Sequence, residues 1–367
     1  MKIAQICFSG LGGHSSVVFS LIGASKKLNS NIVWDIGFIG NETISKENLT
    51  QCIKLKVPNL FIKYSPGRQV FAWYKLLIWL RNSQPNALFC HSPSMIFPCF
   101  LYCILNSARL ITIEHTANDV KNFKEKFFSF ISLIFSNRVI VLTSEYLKNL
   151  TRVEKFFNLH RRYKVIPNGI DAEIYKTNES CSLKSKKILI GMASRFTKIK
   201  RHDLLIKSMK LLNEKKKDLN IILLFAGDGE TLSENQKLVE KNNMNDCIHF
   251  LGLLNQDELL KWFHSLDIYV HAAEAENLST SILQAMSMEK YIIASKVAGI
   301  ENLLFQEERY GFTCENSPLA FANKILDVIN SSGKYIKITR RARKKILMNY
   351  TNEQMLKSYL SVLTKQD

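Results

Sequence analysis

The residues with the clearest chemical content lie in three short stretches of the C-terminal half. In SRFTKIKRHD, Arg195 and Lys200 stand close in sequence across a loop and the start of a helix. A planar guanidinium fork and a compact ammonium can there converge on one anionic group. In FAGDGE, Gly227 and Gly229 flank Asp228 in a tight turn at a strand end. The third stretch, residues 270–286, reads VHAAEAENLSTSILQAM. It runs from an apolar strand pattern into a loop with Glu274 and Glu276, then into a helix start made of Ser279, Thr280 and Ser281, with Gln284 further in. The first N–H groups of a helix lack internal partners and sit at the positive end of its dipole, so such a start can hold a phosphate. A carboxylate before it can grip hydroxyls, and a polar side chain beyond it can reach a ribose. Taken alone, the third stretch also fits an ordinary helix cap with Ser279 as N-cap. Taken together, the three describe a diphosphate site with a hydroxyl-binding group beside it.

The elements that must position these residues follow one rhythm. Lys2 to Phe8 reads as a buried strand, followed by SGLGGHSS and an apolar-periodic helix through Leu28. Gly10, Gly12 and Gly13 would let the backbone approach a ligand in the first ligand loop of a doubly wound fold. Strand-like runs recur at residues 32–38, 52–57, 87–90, 109–113 and 138–142, with helical patterns between them. Two of these runs end on candidate site residues, His91 in ALFCHS, and Glu114 and His115 in LITIEHT. Either histidine also fits a structural role. KVIPNGIDAEIY marks a break, with Pro167 stopping a strand and Asn168 and Gly169 forming a turn. The alternation restarts at KKILIGM and continues at residues 221–226, 247–250, 267–270 and 291–294. Two successive alternating blocks imply an α/β protein of two Rossmann-like doubly wound domains. The expected boundaries are 1–168 for the N-terminal domain, 169–186 for a linker and 187–345 for the C-terminal domain. Residues 346–367 are expected to form a helix packing back on the first domain.

Composition narrows the class. At 367 residues the chain exceeds what one core usually covers. Its net charge of +18 is uneven: residues 1–168 hold 21 basic and 8 acidic side chains, a net +13. A basic half attracts an anionic partner. No paired-cysteine zinc pattern or stacking-aromatic strand signature points to nucleic acid. The helical stretches VFAWYKLLIWLRN and KNFKEKFFSFISLIF mix Trp, Phe and Tyr with Lys and Arg, as suits a membrane interface, although core-facing helices share that mix. The longest apolar tracts are about ten residues, against the roughly 20 that a membrane span needs. Eight scattered cysteines with no CxxC pair fit reduced core residues of a cytosolic protein.

The ordered series GLGGHSS, EHT, VLTSE, IPNGID, SRFTKIK, FAGDGE, ENLSTSILQAM and VAGIEN resembles the retaining glycosyltransferases of family 4. The resemblance implies the GT-B architecture, two Rossmann-like domains facing across a cleft, with the sugar nucleotide in the C-terminal domain and the acceptor mainly in the N-terminal one. It implies that Arg195 and Lys200 hold the donor diphosphate and that Glu276, first acid of the family's E-x7-E motif, contacts the transferred sugar. Ser279, Thr280 and Ser281 would cap the phosphate, Gly227, Asp228 and Leu278 would line the donor, His115 would meet the sugar, and Gly12 and Gly13 would face the diphosphate. The catalytic set implied is Glu276, His115, Arg195 and Lys200, with neither a metal nor another cofactor; no DxD sequence occurs. Two positions depart from the family pattern: Gln284 stands where the motif has its second acid, and Asn277 replaces the usual glycine. Gln keeps an acceptor oxygen for ribose but loses the charge. The expected function is transfer from a nucleotide-sugar donor, UDP-linked first, to a glycan or polyprenyl-diphosphate-linked acceptor in bacterial surface polysaccharide synthesis. The expected location is cytoplasmic, peripheral on the inner face of the membrane at an anionic surface. The alternatives are a non-catalytic nucleotide-sugar-binding partner subunit and a sugar-nucleotide epimerase.

Overall fold

The computed structural model describes residues 1–10, 13–41, 43–64, 67, 69–115, 121–148, 159–177, 187–215, 219–305 and 309–364. The chain divides into two compact units, Met1–Gly169 with Asn352–Asp367, and Ile170–Thr351.

The first unit is built on a sheet of β1 (Lys2–Phe8), β2 (Val33–Gly40), β3 (Asn59–Lys63), β4 (Ala87–Cys90), β5 (Arg109–Glu114), β6 (Arg138–Val141) and β7 (Tyr163–Val165), in the order β3-β2-β1-β4-β5-β6-β7. Every pairing is parallel. Apolar runs such as KIAQICF are buried on both faces, the pattern of a covered parallel sheet. Ile3 and Cys7 face a core shared with helix α1 (Gly13–Lys27), whereas Ala4 and Ile6 face one shared with α3 (Gln69–Ser83) and α4 (Ile96–Asn106).

The second unit repeats the plan with β8 (Lys187–Ala193), β9 (Asn220–Ala226), β10 (Ile248–Phe250), β11 (Ile268–His271), β12 (Tyr291–Ser295) and β13 (Phe312–Cys314), in the order β10-β9-β8-β11-β12-β13. In both sheets the order reverses direction beside the first strand, between β1 and β4 and between β8 and β11. The carboxyl ends of those strands are where open α/β sheets bind ligands.

One sequence-based strand is corrected. Residues 52–57 are not a strand: Cys52 lies in helix α2 (Lys46–Lys54), which begins where the Ser45 side chain accepts from the Asn48 N–H. The strand is the next run, Asn59–Lys63, which follows Pro58. Period-two alternation in CIKLKV could not outweigh a good cap. Within residues 169–186, Ile170, Ala172 and Tyr175 are buried in the second unit, and Ser287 Oγ donates to the Tyr175 carbonyl at 2.5 Å. Residues 178–186 lie outside the described residues.

Residues 346–367 do not form one element. Helix α13 (Ser332–Asn349) stays in the second unit, and α14 (Asn352–Thr364) belongs to the first. On α14, Met355, Leu356, Tyr359 and Val362 complete the core against Val18 and Leu21 of α1. Tyr359 meets Phe89 edge-on at 5.4 Å, and its hydroxyl is buried without a partner among the described residues. Tyr359→Ala should therefore cost about 3–5 kcal/mol. Tyr359→Phe should leave stability unchanged or raise it, because it removes a buried orphan group. Urea unfolding of the two variants separates these outcomes.

Candidate active site

The geometry of the second unit is set by three loops that bond one another. Gly227 and Gly229 both adopt positive φ (136° and 150°), where a side chain would be strained and would run into the backbone of Ser194 and Phe196. That close approach zips the turn to the loop after β8: Ser194 N–H donates to the Ala226 carbonyl at 3.1 Å and Phe196 N–H to that of Asp228 at 2.9 Å. The same loop is tied to the segment after β11 by Arg201 N–H to the Ala272 carbonyl, 3.1 Å, and Glu274 N–H to that of Ile199, 2.9 Å. Lys200 is thereby carried to Glu276.

Lys200 Nζ forms an ion pair with Glu276 Oε2. The same oxygen lies 2.9 Å from His271 Nε2, and Lys200 Nζ lies 3.4 Å from that nitrogen. Since a carboxylate only accepts, His271 donates through Nε2 and turns its Nδ1 to the Tyr269 hydroxyl at 3.2 Å. Burial, then the charge of Lys200, lowers the pKa of His271, so the ring that donates is neutral. Burial would raise the pKa of Glu276, but the charge of Lys200 and then the His271 bond more than offset it and bring it to about 2. The carboxylate is thus ionised throughout the neutral range.

Beyond it, Ser279 caps helix α10 (Thr280–Ser287), accepting from the Ile282 N–H at 3.4 Å. Ser281 Oγ donates to the Ala193 carbonyl at 2.9 Å, which fastens the helix start to the end of β8. Leu278 is buried, and Thr280 and Gln284 are partly buried. Gly299 of VAGIEN leaves room for the Glu276 and Asn277 carbonyls, where a side chain would collide. Asp228 is exposed and accepts from the Gly229 N–H at 2.7 Å. Glu274 pairs with Arg201 at 2.9 Å. Arg195 is exposed and makes no ion pair among the described residues, whereas Lys200 joins Glu276 and His271.

In the first unit, Gly13 opens α1, and Gly12 lies outside the described residues. His115 follows β5 directly. Its Nε2 is 2.8 Å from His91 Nδ1, and its ring stacks on His14 at 4.2 Å. Buried Glu114 pairs with buried Lys121 at 2.7 Å, and Lys121 also donates to Ser129 and Tyr146. Sequence reasoning missed His271, His14 and Gln5; the signal available for His271 was its place as the last residue of a switch-point strand. Among the described residues no group of three or more His, Cys, Asp or Glu side chains is placed to hold a metal ion.

Two parallel Rossmann-like sheets with their ligand loops at the switch points define a GT-B-like protein. The chain matches the family models described as Glycosyltransferase Family 4 over residues 13–174 and Glycosyl transferases group 1 over residues 176–345. It belongs to these group 1, family 4 glycosyltransferases, whose members retain anomeric configuration. It is similar to the uncharacterised glycosyltransferase MJ1069 of Methanocaldococcus jannaschii, 27% identical over 84% of this chain and 80% of that one. Its fold is shared by Anabaena HepE, solved with UDP and glucose, at a TM-score of 0.82 and 16% identity over the whole of both chains. Staphylococcus aureus TarM, solved as a mutant in complex with UDP, gives 0.76 and 14%, again over the whole of both.

A carboxylate with a depressed pKa contributes stability above its ordinary value of 4.5, and that contribution is lost as pH falls through about 2. Lys200→Met should move the Glu276 titration upward, read by carboxyl-carbon NMR. The stability difference between wild type and variant should be full above the variant's raised Glu276 pKa and shrink as pH falls toward 2.

Proposed function

We propose that this protein transfers a sugar, with retention, from a nucleoside-diphosphate donor to a hydroxyl of a glycan or polyprenyl-diphosphate-linked acceptor. UDP-sugars are the first candidates, and the product a bacterial surface polysaccharide such as O-antigen, capsule or lipopolysaccharide. The observation that carries this reading is the ionised Glu276, held by Lys200 and His271 at the switch point and directly before the start of α10. A cation, a hydroxyl-binding carboxylate and free helix N–H groups at one strand end match the three parts of a sugar diphosphate. HepE, solved with UDP and glucose, and TarM, solved with UDP, support the choice of donor.

In the transfer, the bond from the anomeric carbon to the phosphate oxygen breaks and that carbon bonds to the acceptor oxygen, whose proton passes to the departing phosphate on the same face. Negative charge grows on the diphosphate, so Lys200, Arg195 and the α10 N–H groups supply the main stabilisation, and no metal is needed. Glu276 positions the sugar and is not a nucleophile. Its second oxygen remains for sugar hydroxyls while Oε2 is held by its two neighbours. His115 meets the sugar, and Gln284 accepts from ribose. Arg195→Ala with Lys200→Ala should lower kcat/KM roughly a hundredfold or more. It should also abolish the rise in Tm produced by UDP while leaving the unliganded fold intact; full activity in the double variant sinks the assignment.

The acceptor side is proposed to work at the inner face of the cell membrane. No described helix is long and apolar enough to cross a membrane. However, α3 exposes Val70, Phe71, Tyr74 and Ile78 along one stripe, flanked by exposed Lys75 and Arg81. Helix α4 packs between α3 and α5 (Phe123–Phe135) and exposes Ile104 and Leu105; α5 exposes Phe123 and Phe127 beside Lys124 and Lys126. Apolar side chains ringed by cations suit an anionic bilayer interface. Phe71→Ser with Tyr74→Ser should weaken binding to phosphatidylglycerol vesicles, read by sedimentation, by about a hundredfold or more, on the scale of two large side chains leaving the interface. Equal binding to phosphatidylcholine vesicles counts against the surface.

A further inference from the structure

Two buried polar side chains of the first unit have no part in the chemistry above. Gln5 lies inside β1, fully buried between the apolar Ala4 and Ile6, and His91 follows β4 and is 1% exposed. Such groups are costly inside a sheet unless they are bonded. They bond in a line: Gln5 Oε1 is 2.7 Å from His91 Nε2, and His91 Nδ1 is 2.8 Å from His115 Nε2. The three residues come from β1, β4 and the end of β5, neighbours in the sheet at its switch point.

The line has a direction. An amide oxygen can only accept, so the proton of His91 sits on Nε2 and its Nδ1 offers a lone pair. That lone pair takes the N–H of His115 Nε2, which leaves Nδ1 of His115 unprotonated. The nearly parallel ring of His14, 15° from that of His115, restrains its rotation. We propose that Gln5 and His91 are positioning residues that lock His115 in the Nε2–H tautomer, so that His115 faces substrate only as a hydrogen-bond acceptor. A sugar hydroxyl can donate to such a nitrogen, whereas an ionised phosphate oxygen cannot. The inference rests on the reading that His115 meets the transferred sugar. Burial and then the neighbouring His14 push the pKa of His91 down to about 3, and the same causes hold that of His115 well below its ordinary value. The line is therefore not broken by protonation near neutral pH.

The test is a two-bond proton–nitrogen NMR correlation on the full chain labelled with 15N-histidine, run beside kinetics. The wild-type protein should show His115 protonated on Nε2 and bare on Nδ1. In Gln5→Met the two nitrogen signals should move toward the average of both tautomers, and kcat should fall about tenfold, the scale of one misdirected hydrogen bond, with donor KM nearly unchanged. A wild-type His115 protonated on Nδ1, which is what a reversed Gln5 amide would impose, overturns the proposal without any variant. An unchanged tautomer and kcat in Gln5→Met overturn it as well. Because the spectrum needs no turnover, a failure of the glycosyl-transfer reading shows separately, as absence of transfer with the tautomer intact.

Discussion

The constraint on which the second unit depends is the ionisation of Glu276. Desolvation favours the neutral acid, and the carboxylate survives because Lys200 and His271 meet at one of its oxygens. Much of the surrounding architecture serves that meeting. The positive-φ glycines let the β9 turn clasp the loop that carries Lys200, β11 ends on His271, and Gly299 makes room for the backbone that presents Glu276. A partly buried charge cluster of this kind is a poor source of net stability. Its value lies in holding an anion and a cation side by side without collapse into a neutral pair.

The two sheets share one topology and solve the same positional problem with opposite chemistry. At the second switch point the groups are ionic. At the first they are a glutamine and three imidazoles, two of them held neutral by their surroundings.

Most of the architecture was legible in the sequence because buried parallel strands write themselves as apolar runs, and the runs at 2–8, 87–90, 187–192 and 291–294 all lie on strands. Short strands failed where a helix cap competed, as at residues 52–57, or where the run was as brief as Phe312–Cys314. In the site, Lys200 and Glu276 could be named from motif spacing, but not their pairing with each other. The ion pair between Lys200 and Glu276 joins residues 76 positions apart, which no local motif encodes. His271 and Gln5 were invisible for a common reason: a lone polar residue in an apolar run acquires meaning only from a neighbouring strand, and strand order is not written in local pattern.

The chain enters the second unit at Ile170 and leaves it at Thr351, so the first unit is sewn from two separated pieces. During synthesis, residues 1–169 leave the ribosome with a gap in their core where Met355, Leu356 and Tyr359 belong, and the gap stays open until all of the second unit has been translated. The later-made unit can therefore close first. The nascent first unit exposes the apolar face of α1 throughout that interval, until Met355, Leu356 and Tyr359 cover it.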